Sequence, residues 1–374
     1  MSGSRRSVLR LGTRGSALAL AQTERVAQRL RTAGMEVLIV PVRTVGDVYS
    51  GPIADIGVGV FVSALREALV AGEVDVAVHS SKDLPTAVDP RLVLAAVPER
   101  ADPRDALVAR DGMVLGELPP GAVLGTGSPR RTAQLRALGR GLQIVPIRGN
   151  VDSRIRRVID GNLDGVVIAA AGLARLGRIA EATELLHPQQ RLPAPGQGAL
   201  ACEYRVDDPD TAHALAAVLN DSEVRAEVTA ERALLAALEA GCSVPVDALA
   251  DVVEDLGDDG RVVLRLFLRG VATTADGDLL RSSATGKLTD AENLGRRVAA
   301  ELLSLGASAP QSSLRVRQLH DPGQHRSARG GDTRTTNACD DLASGVAVHD
   351  LVPVPLGHPE RLHHGCVRRV EQRF

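Results

Sequence analysis

The sequence predicts an α/β protein. Two doubly wound α/β domains on mainly parallel sheets are followed by a smaller C-terminal α+β domain and a disordered tail. Three observations carry that prediction. Strand and helix patterns alternate through the first half of the chain, one glycine- and proline-marked plan occurs twice, and beyond Pro193 the order changes to helices, then strands, then a helix. The 374 residues, 44% of them apolar, suffice for two or three separate cores.

The elements follow in order. Val8 to Thr13 reads as a strand, and Ser16 caps a helix whose apolar positions Leu18, Ala21, Val26 and Leu30 fall on one face before Gly34 closes it. Glu36 to Val42 is a strand, Val60 to Ala71 a helix, and Val74 to His79 a buried strand. The segment Ser80-Ser81-Lys82-Asp83-Leu84-Pro85 is then a loop at the carboxyl end of a strand, where open α/β sheets place their ligands. The plan recurs downstream. Gly12-Thr13-Arg14-Gly15-Ser16 is echoed by Gly125-Thr126-Gly127-Ser128, with Ser128 as N-cap and Pro129 at the first helical position. Val40-Pro41-Val42-Arg43, four residues before Asp47, is echoed by Val145-Pro146-Ile147-Arg148, four before Asp152. Past Pro193-Ala194-Pro195-Gly196-Gln197-Gly198, Asp210 to Leu219 and Glu223 to Ala240 read as helices, and Val262 to Leu268 and Leu279 to Ala284 as strands. A last helix from Thr289 to Leu305 carries Glu292 in a capping box. The expected domains are residues 1–98 with 199–218, residues 99–198, and residues 222–309. Residues 310–374 form an aperiodic extension holding six of the nine histidines, which with Cys339 and Cys366 show no recognised metal-ligand spacing.

Composition excludes several classes. Lys and Arg total 44 against 46 Asp and Glu, a formal charge of -2, which argues against a general nucleic-acid binder. No apolar stretch approaches the roughly 20 residues that span a bilayer. Four cysteines without CxxC spacing suit a reducing cytosol. Ser4-Arg5-Arg6-Ser7 has the outline of an export signal, but Arg10, Arg14 and Glu24 interrupt the apolar run that must follow, so a short leading tail is expected. Aromatics are only 1% of residues, which disfavours a base-stacking platform.

Arginines gather where strands end and helices begin: Arg14 in the first repeat, and Arg130, Arg131, Arg148, Arg154 and Arg175 in the second. Helix N-termini headed by Ser16 and Ser128 add free amides, and guanidinium groups add bidentate cations, so a polyanionic small ligand is expected. Lys82 is one of only two lysines in the chain. Asp83 beside it could stabilise a cationic intermediate or relay a proton to a departing amine, or could simply cap the next turn. Cys242, in a Gly-Cys-Ser-x-Pro loop, is a candidate nucleophile or covalent anchor, with plain burial as the other reading.

From about Val8 to Ala309 the chain resembles the porphobilinogen deaminase (hydroxymethylbilane synthase) family. The likeness rests on Thr13 to Ala19, His79 to Pro85, Arg100 to Asp105, Gly125 to Arg131, Arg148-Gly149-Asn150, Ala171-Gly172-Leu173 and the Cys242 loop, all in the family's order. It implies two domains similar to periplasmic binding proteins plus a third that holds a dipyrromethane cofactor, covalently attached to Cys242. It implies stepwise head-to-tail condensation of porphobilinogen units, with loss of ammonia, to the linear tetrapyrrole hydroxymethylbilane. Asp83 is then the catalytic acid/base. Arg14, Arg130, Arg131, Arg148, Arg154 and Arg175 bind acetate and propionate groups, and Ser16, Ser80, Lys82, Thr126, Ser128, Gly172 and Gln197 line the same cleft. No metal is implied; a cytosolic monomer that hands its product to uroporphyrinogen-III synthase is. Three positions depart from the family pattern: Val58 where a lysine is common, Gly127 where serine is frequent, and Asp247 where a small glycine is usual. They keep an impaired paralogue in view, and a solute-binding module is the alternative from another class.

Overall fold

The computed structural model describes residues 8–43, 60–239, 245–257 and 260–308, all within one compact unit, Met1–Leu314. Asp47, Val58, Cys242 and the segment from residue 310 onward, named above, lie outside the described residues.

The chain opens with β1 (Leu9–Arg14), α1 (Ala17–Thr32), β2 (Val37–Val42), α2 (Val60–Val70), β3 (Val76–Ser80) and β4 (Leu92–Ala96). There follow β5 (Asp105–Ala109), β6 (Val123–Thr126), α3 (Pro129–Ala137), β7 (Gln143–Pro146), α4 (Val151–Ile159), β8 (Gly165–Ala169), α5 (Ala170–Arg175) and β9 (Glu184–Leu186). β10 (Leu200–Arg205) and α6 (Pro209–Leu219) precede the last group: α7 (Ser222–Glu239), β11 (Asp247–Leu256), β12 (Val262–Thr273), β13 (Leu279–Gly286) and α8 (Ala291–Ser304).

These strands form two five-stranded sheets of like plan, β2-β1-β3-β10-β4 and β7-β6-β8-β5-β9, and one three-stranded sheet, β11-β12-β13. In each large sheet three parallel strands are extended by antiparallel ones, so the sheets are mixed rather than wholly parallel. The repeat is real at the level of register. Gly12 pairs with Val40 and Thr13 with Pro41, just as Gly125 pairs with Val145 and Thr126 with Pro146. Both prolines sit on edge strands, where a missing N–H breaks no ladder. Both glycines are forced by packing: a Cβ on Gly12 would lie 2.8 Å from Leu65, and one on Gly125 would lie 2.7 Å from Leu163.

Helices α1, α3 and α4 start where the sequence supplies a side-chain acceptor. Ser16 Oγ accepts the Ala19 N–H at 3.3 Å, Ser128 Oγ that of Arg131 at 3.4 Å, and Asn150 Oδ1 that of Ser153 at 2.9 Å. The buried stripe of α1 (Val26, Ala27, Leu30) packs with Leu11, Val76, Leu215 and Leu219 into the core of the first sheet. Burying each leucine contributes on the order of 2 kcal/mol. The third core joins Leu234 and Leu238 of α7 to Leu266 and Leu268 of β12 and to Val298 and Leu302 of α8.

Two local expectations are corrected. The last helix begins at Ala291, not Thr289, because a 3-10 turn over Leu288–Asp290 precedes it; Asp290 is the N-cap without a side-chain cap bond, and Glu292 pairs with Arg296 instead of closing a capping box. The third sheet also has a strand that alternation did not reveal, β11, whose outer half carries Glu254 and Asp255.

Candidate active site

The carboxyl end of β3 runs into a single turn, Ser81–Asp83, that is pinned from three directions. The Ser81 N–H donates to the Ala199 carbonyl at 3.0 Å. Gly196, at φ +72°, lies against the turn so closely that a Cβ would come within 2.7 Å of Ser81 Oγ. Arg232 of α7 donates to the Ser81 and Leu84 carbonyls at 3.2 and 3.0 Å, and to the Pro85 carbonyl at 2.7 Å. The outcome is a rigid turn presenting an exposed Asp83 carboxylate beside a half-buried Lys82. Desolvation pushes the Lys82 ammonium down to about 8; Asp83 opposes that shift, while Arg131, Arg130 and Arg154 add to it. Those three arginines come from the second repeat, so the two strand-end clusters share one electrostatic site.

Beneath the turn, Ser80 Oγ exchanges hydrogen bonds with the Gln22 amide at 3.0 and 3.1 Å. One residue earlier, His79 Nε2 lies 3.2 Å from Glu203, whose carboxylate also takes two bonds from Arg66 at 2.6 and 2.9 Å. Burial alone would raise the Glu203 pKa, but His79 and Arg66 prevail and hold it at about 2.

The second repeat contributes the other wall. Thr126 ends β6 and is buried, its Oγ1 accepting the Ser128 N–H at 3.3 Å. Arg130 and Arg131 ride on the first turn of α3, Arg148 follows β7, Arg154 lies on α4, and Gly172 and Arg175 lie on α5. Gly172 brings α5 against α1, a Cβ there standing 3.7 Å from Leu18. A cavity of about 1050 Å³ opens beside Thr126 and Ser128, bounded on its far side by Pro245, Thr273, Asp278 and Arg281 of the third group. Its lining runs along α3 through Thr132, Ala133 and Arg136 and includes neither Asp83 nor the candidate arginines.

The candidate residues divide by what they hold. Arg131, only 7% exposed, donates to Asp105 Oδ1 at 2.7 Å, the Val167 carbonyl at 3.1 Å and Gln197 Oε1 at 3.4 Å. Gln197, equally enclosed, donates to the Pro103 carbonyl at 2.7 Å and to Asp105 at 2.9 Å. Arg154 donates through Nε to the Gly149 carbonyl at 2.8 Å, and Arg175 through Nη2 to the Gly198 carbonyl at 2.6 Å. Arg130 Nε, Arg148 Nη2 and Arg175 Nε, by contrast, are buried with no hydrogen-bond partner among the described residues. A buried N–H left without an acceptor costs about 1–3 kcal/mol, so these donors await an anion. Burial and like charge agree. Arg175 is pushed down to about 10 by desolvation and by Arg25, and Arg154 is lowered by desolvation, Arg131 and Arg148. Three unspent guanidinium donors and a self-repelling cationic cluster fit the carboxylates of a dipyrromethane, and Gly127 leaves that wall closed to any side chain, because a Cβ there would lie 2.8 Å from the Ile147 carbonyl.

Sequence reasoning missed the supports: Asp105 between Arg131 and Arg191, and the neighbours Glu231 and Arg232 on α7. A signal existed for Glu231. It interrupts the apolar stripe of Val224, Val228, Leu234 and Leu238, and a charge on a buried stripe needs partners. Among the described residues there is no cluster of side chains able to hold a metal ion, and no helix long and apolar enough to cross a membrane.

Comparison with known proteins identifies the family. Residues 9–213 match the family model described as porphobilinogen deaminase, dipyromethane cofactor binding domain, and residues 225–304 match porphobilinogen deaminase, C-terminal domain. The chain is 61% identical over 300 residues to the porphobilinogen deaminase of Nocardia farcinica, covering 80% of this chain and 86% of that protein. It is 57% identical over 318 residues to that of Mycobacterium avium, covering 85% and 99%. Among solved structures, the methionine binding protein MetQ is 13% identical with a TM-score of 0.39, covering 62% of this chain and 94% of MetQ. A periplasmic substrate-binding protein of a Coxiella burnetii ABC transporter is 16% identical with a TM-score of 0.36, covering 56% and 91%. With both domain models matched in order and the strand-end arginines facing the Lys82–Asp83 turn, the chain belongs to the porphobilinogen deaminase family.

Proposed function

We propose that Asp83 is the acid/base of the family's reaction in this chain, the stepwise joining of four porphobilinogen units into hydroxymethylbilane. The observation that carries the reading is an exposed carboxylate on a pinned turn, beside Lys82, whose ammonium is perturbed by Arg130, Arg131 and Arg154 of the facing wall. In each addition the aminomethyl C–N bond of porphobilinogen breaks and ammonia leaves. The resulting cation is attacked by the free α-carbon of the terminal pyrrole, and that carbon then loses its proton. One carboxylate facing the reacting carbon can steady the cation and move the proton in turn.

The substrate's two carboxylates per unit need many cationic partners. Arg14, Arg130, Arg148, Arg154 and Arg175 supply them, with Ser16, Ser80, Lys82, Thr126, Ser128 and Gly172 around them; Arg131 and Gln197 shape this wall through Asp105. The dipyrromethane cofactor, when bound, supplies the pyrrole to which the first unit is joined. Cys242 is its proposed attachment, supported by the match of residues 225–304, which include its Gly-Cys-Ser loop, to the family's C-terminal domain model. Residues 1–98 with 199–218, residues 99–198 and residues 222–309 are proposed as the three bodies of the enzyme, a division supported by the three sheets. A cytosolic location is supported by the cysteine pattern, and the monomeric state is proposed from the family resemblance. A linear product that must next be closed to a ring suits hand-over to uroporphyrinogen-III synthase.

The test is Asp83→Asn. It is expected to keep the fold and the cofactor while lowering turnover by about 10²- to 10⁴-fold. Near-normal turnover would remove Asp83 from this role.

A further inference from the structure

Asp247 opens β11, five residues beyond Cys242, and is 2% exposed. A carboxylate so placed must be held, and its two oxygens face α3. Oδ2 accepts from Gln134 Nε2 at 2.5 Å. Gln134 cannot turn away, because its amide also donates to the Leu192 carbonyl at 3.0 Å and accepts the Leu192 N–H at 2.9 Å. Oδ1 makes no hydrogen bond and faces Arg130, whose Nε, likewise without a hydrogen-bond partner among the described residues, lies 3.6 Å away in an ion pair, with Arg191 and Arg131 the other cations facing the group. Arg130 and Gln134 are four residues apart, on one face of α3. A glycine at position 247 would leave both without this partner.

We propose that Asp247 is a positioning residue: its charge draws the Nε edge of Arg130 toward β11 as an ion pair, leaving the terminal amino groups for ligand carboxylates, and through Gln134 it ties the first strand of the cofactor-bearing sheet to the helix that presents Arg130. A guanidinium has five N–H donors, so one edge can be fixed by the protein while the fork at the other end stays available. The inference rests on the reading of Arg130 as a carboxylate ligand.

A double-mutant cycle of Asp247→Gly and Arg130→Gln tests it, read as KM and kcat for porphobilinogen, the fraction of chain carrying dipyrromethane by intact mass, and the thermal midpoint. Asp247→Gly is expected to raise KM about five- to tenfold, or to lower cofactor loading to match, with kcat near the parent value. In the Arg130→Gln background it should add less than about twofold, and Asp247→Glu should restore part of the loss. A lower thermal midpoint with KM and loading unchanged, or effects that multiply independently, would overturn the proposal alone. Unchanged KM and loading in Arg130→Gln itself would overturn the carboxylate reading and this proposal together. Should Asp247→Gly not fold, Asp247→Asn, which keeps the shape and loses the charge, is read the same way.

Discussion

Glu231 receives both terminal amino groups of Arg100, at 2.7 and 3.0 Å, with its side chain wholly buried. The same carboxylate accepts the Gly196 N–H at 2.6 Å and the Ala250 N–H at 2.9 Å. One α7 residue thus joins both connections between the large sheets to the third sheet, and the next, Arg232, holds the turn that carries Asp83. Removing the charge from Glu231 leaves the buried Arg100 with Glu227, at 3.3 Å, as its remaining counter-ion, so Glu231→Gln is expected to cost about 3 kcal/mol in urea unfolding. A loss below about 1 kcal/mol would show that the pair contributes little beyond its own desolvation.

Arg232 acts on Asp83 through backbone alone, by donating to the carbonyls of Ser81, Leu84 and Pro85. Loosening the turn should misplace the carboxylate without altering the arginine walls. Arg232→Gln is expected to lower kcat about 10- to 100-fold with KM nearly constant. An unchanged kcat would mean that Gly196 and the Ser81–Ala199 bond suffice to hold the turn.

Lys82 gives the site a pH dependence. Its folded-state pKa, about 8, lies below the ordinary 10.5, so the ammonium is present at neutral pH and is lost as pH rises through 8. One contact with a substrate carboxylate is worth about 1 kcal/mol, so KM should rise roughly fivefold across that step. Lys82→Arg keeps its charge and should flatten the profile; a parent enzyme with constant KM from neutral pH to about 9 would exclude Lys82 from substrate binding. Stability moves the other way. The folded state releases this proton before the unfolded one, so stability rises between 8 and 10.5 as the cost of the buried charge disappears.

Glu227 carries the opposite sign. Burial pushes it up to about 6, with Arg100 at 3.3 Å opposing and Glu231 adding. A carboxyl whose folded pKa exceeds its ordinary 4.5 contributes its stability below 4.5 and loses it as pH rises through 6. Glu227→Gln, which mimics the protonated form, should therefore stabilise the protein by about 1–2 kcal/mol near neutral pH. That gain should vanish below pH 4.5. Thermal midpoints at the two pH values check it, and destabilisation by the variant near neutral pH would show that the Arg100 contact outweighs desolvation.

Local signals were legible in the sequence because they act locally. Ser16 and Ser128 cap the helices they head, and the Gly12 and Gly125 segments pair in matching register. One echo went unread although it is just as local: Gly72-Glu73-Val74-Asp75 and Gly161-Asn162-Leu163-Asp164. In each, the aspartate accepts a strand N–H, from Arg10 at 2.9 Å and from Val123 at 2.6 Å, and returns its own N–H to the same residue's carbonyl. What the sequence could not show is partnership at long range. Asp105 lies 26 residues from Arg131 and 92 from Gln197, and Asp247 lies 113 from Gln134, so only the folded chain reveals that some of the candidate cations are already committed. β11 escaped notice because its outer half is exposed and acidic, without the alternation of a half-buried strand.

The most direct test of the account is an intact-protein mass measurement on the purified chain, with peptide mapping around Cys242. The account predicts a covalent excess of two condensed pyrrole units on that residue, extending by further units when porphobilinogen is added. A Cys242 that stays unmodified after incubation with porphobilinogen would contradict it.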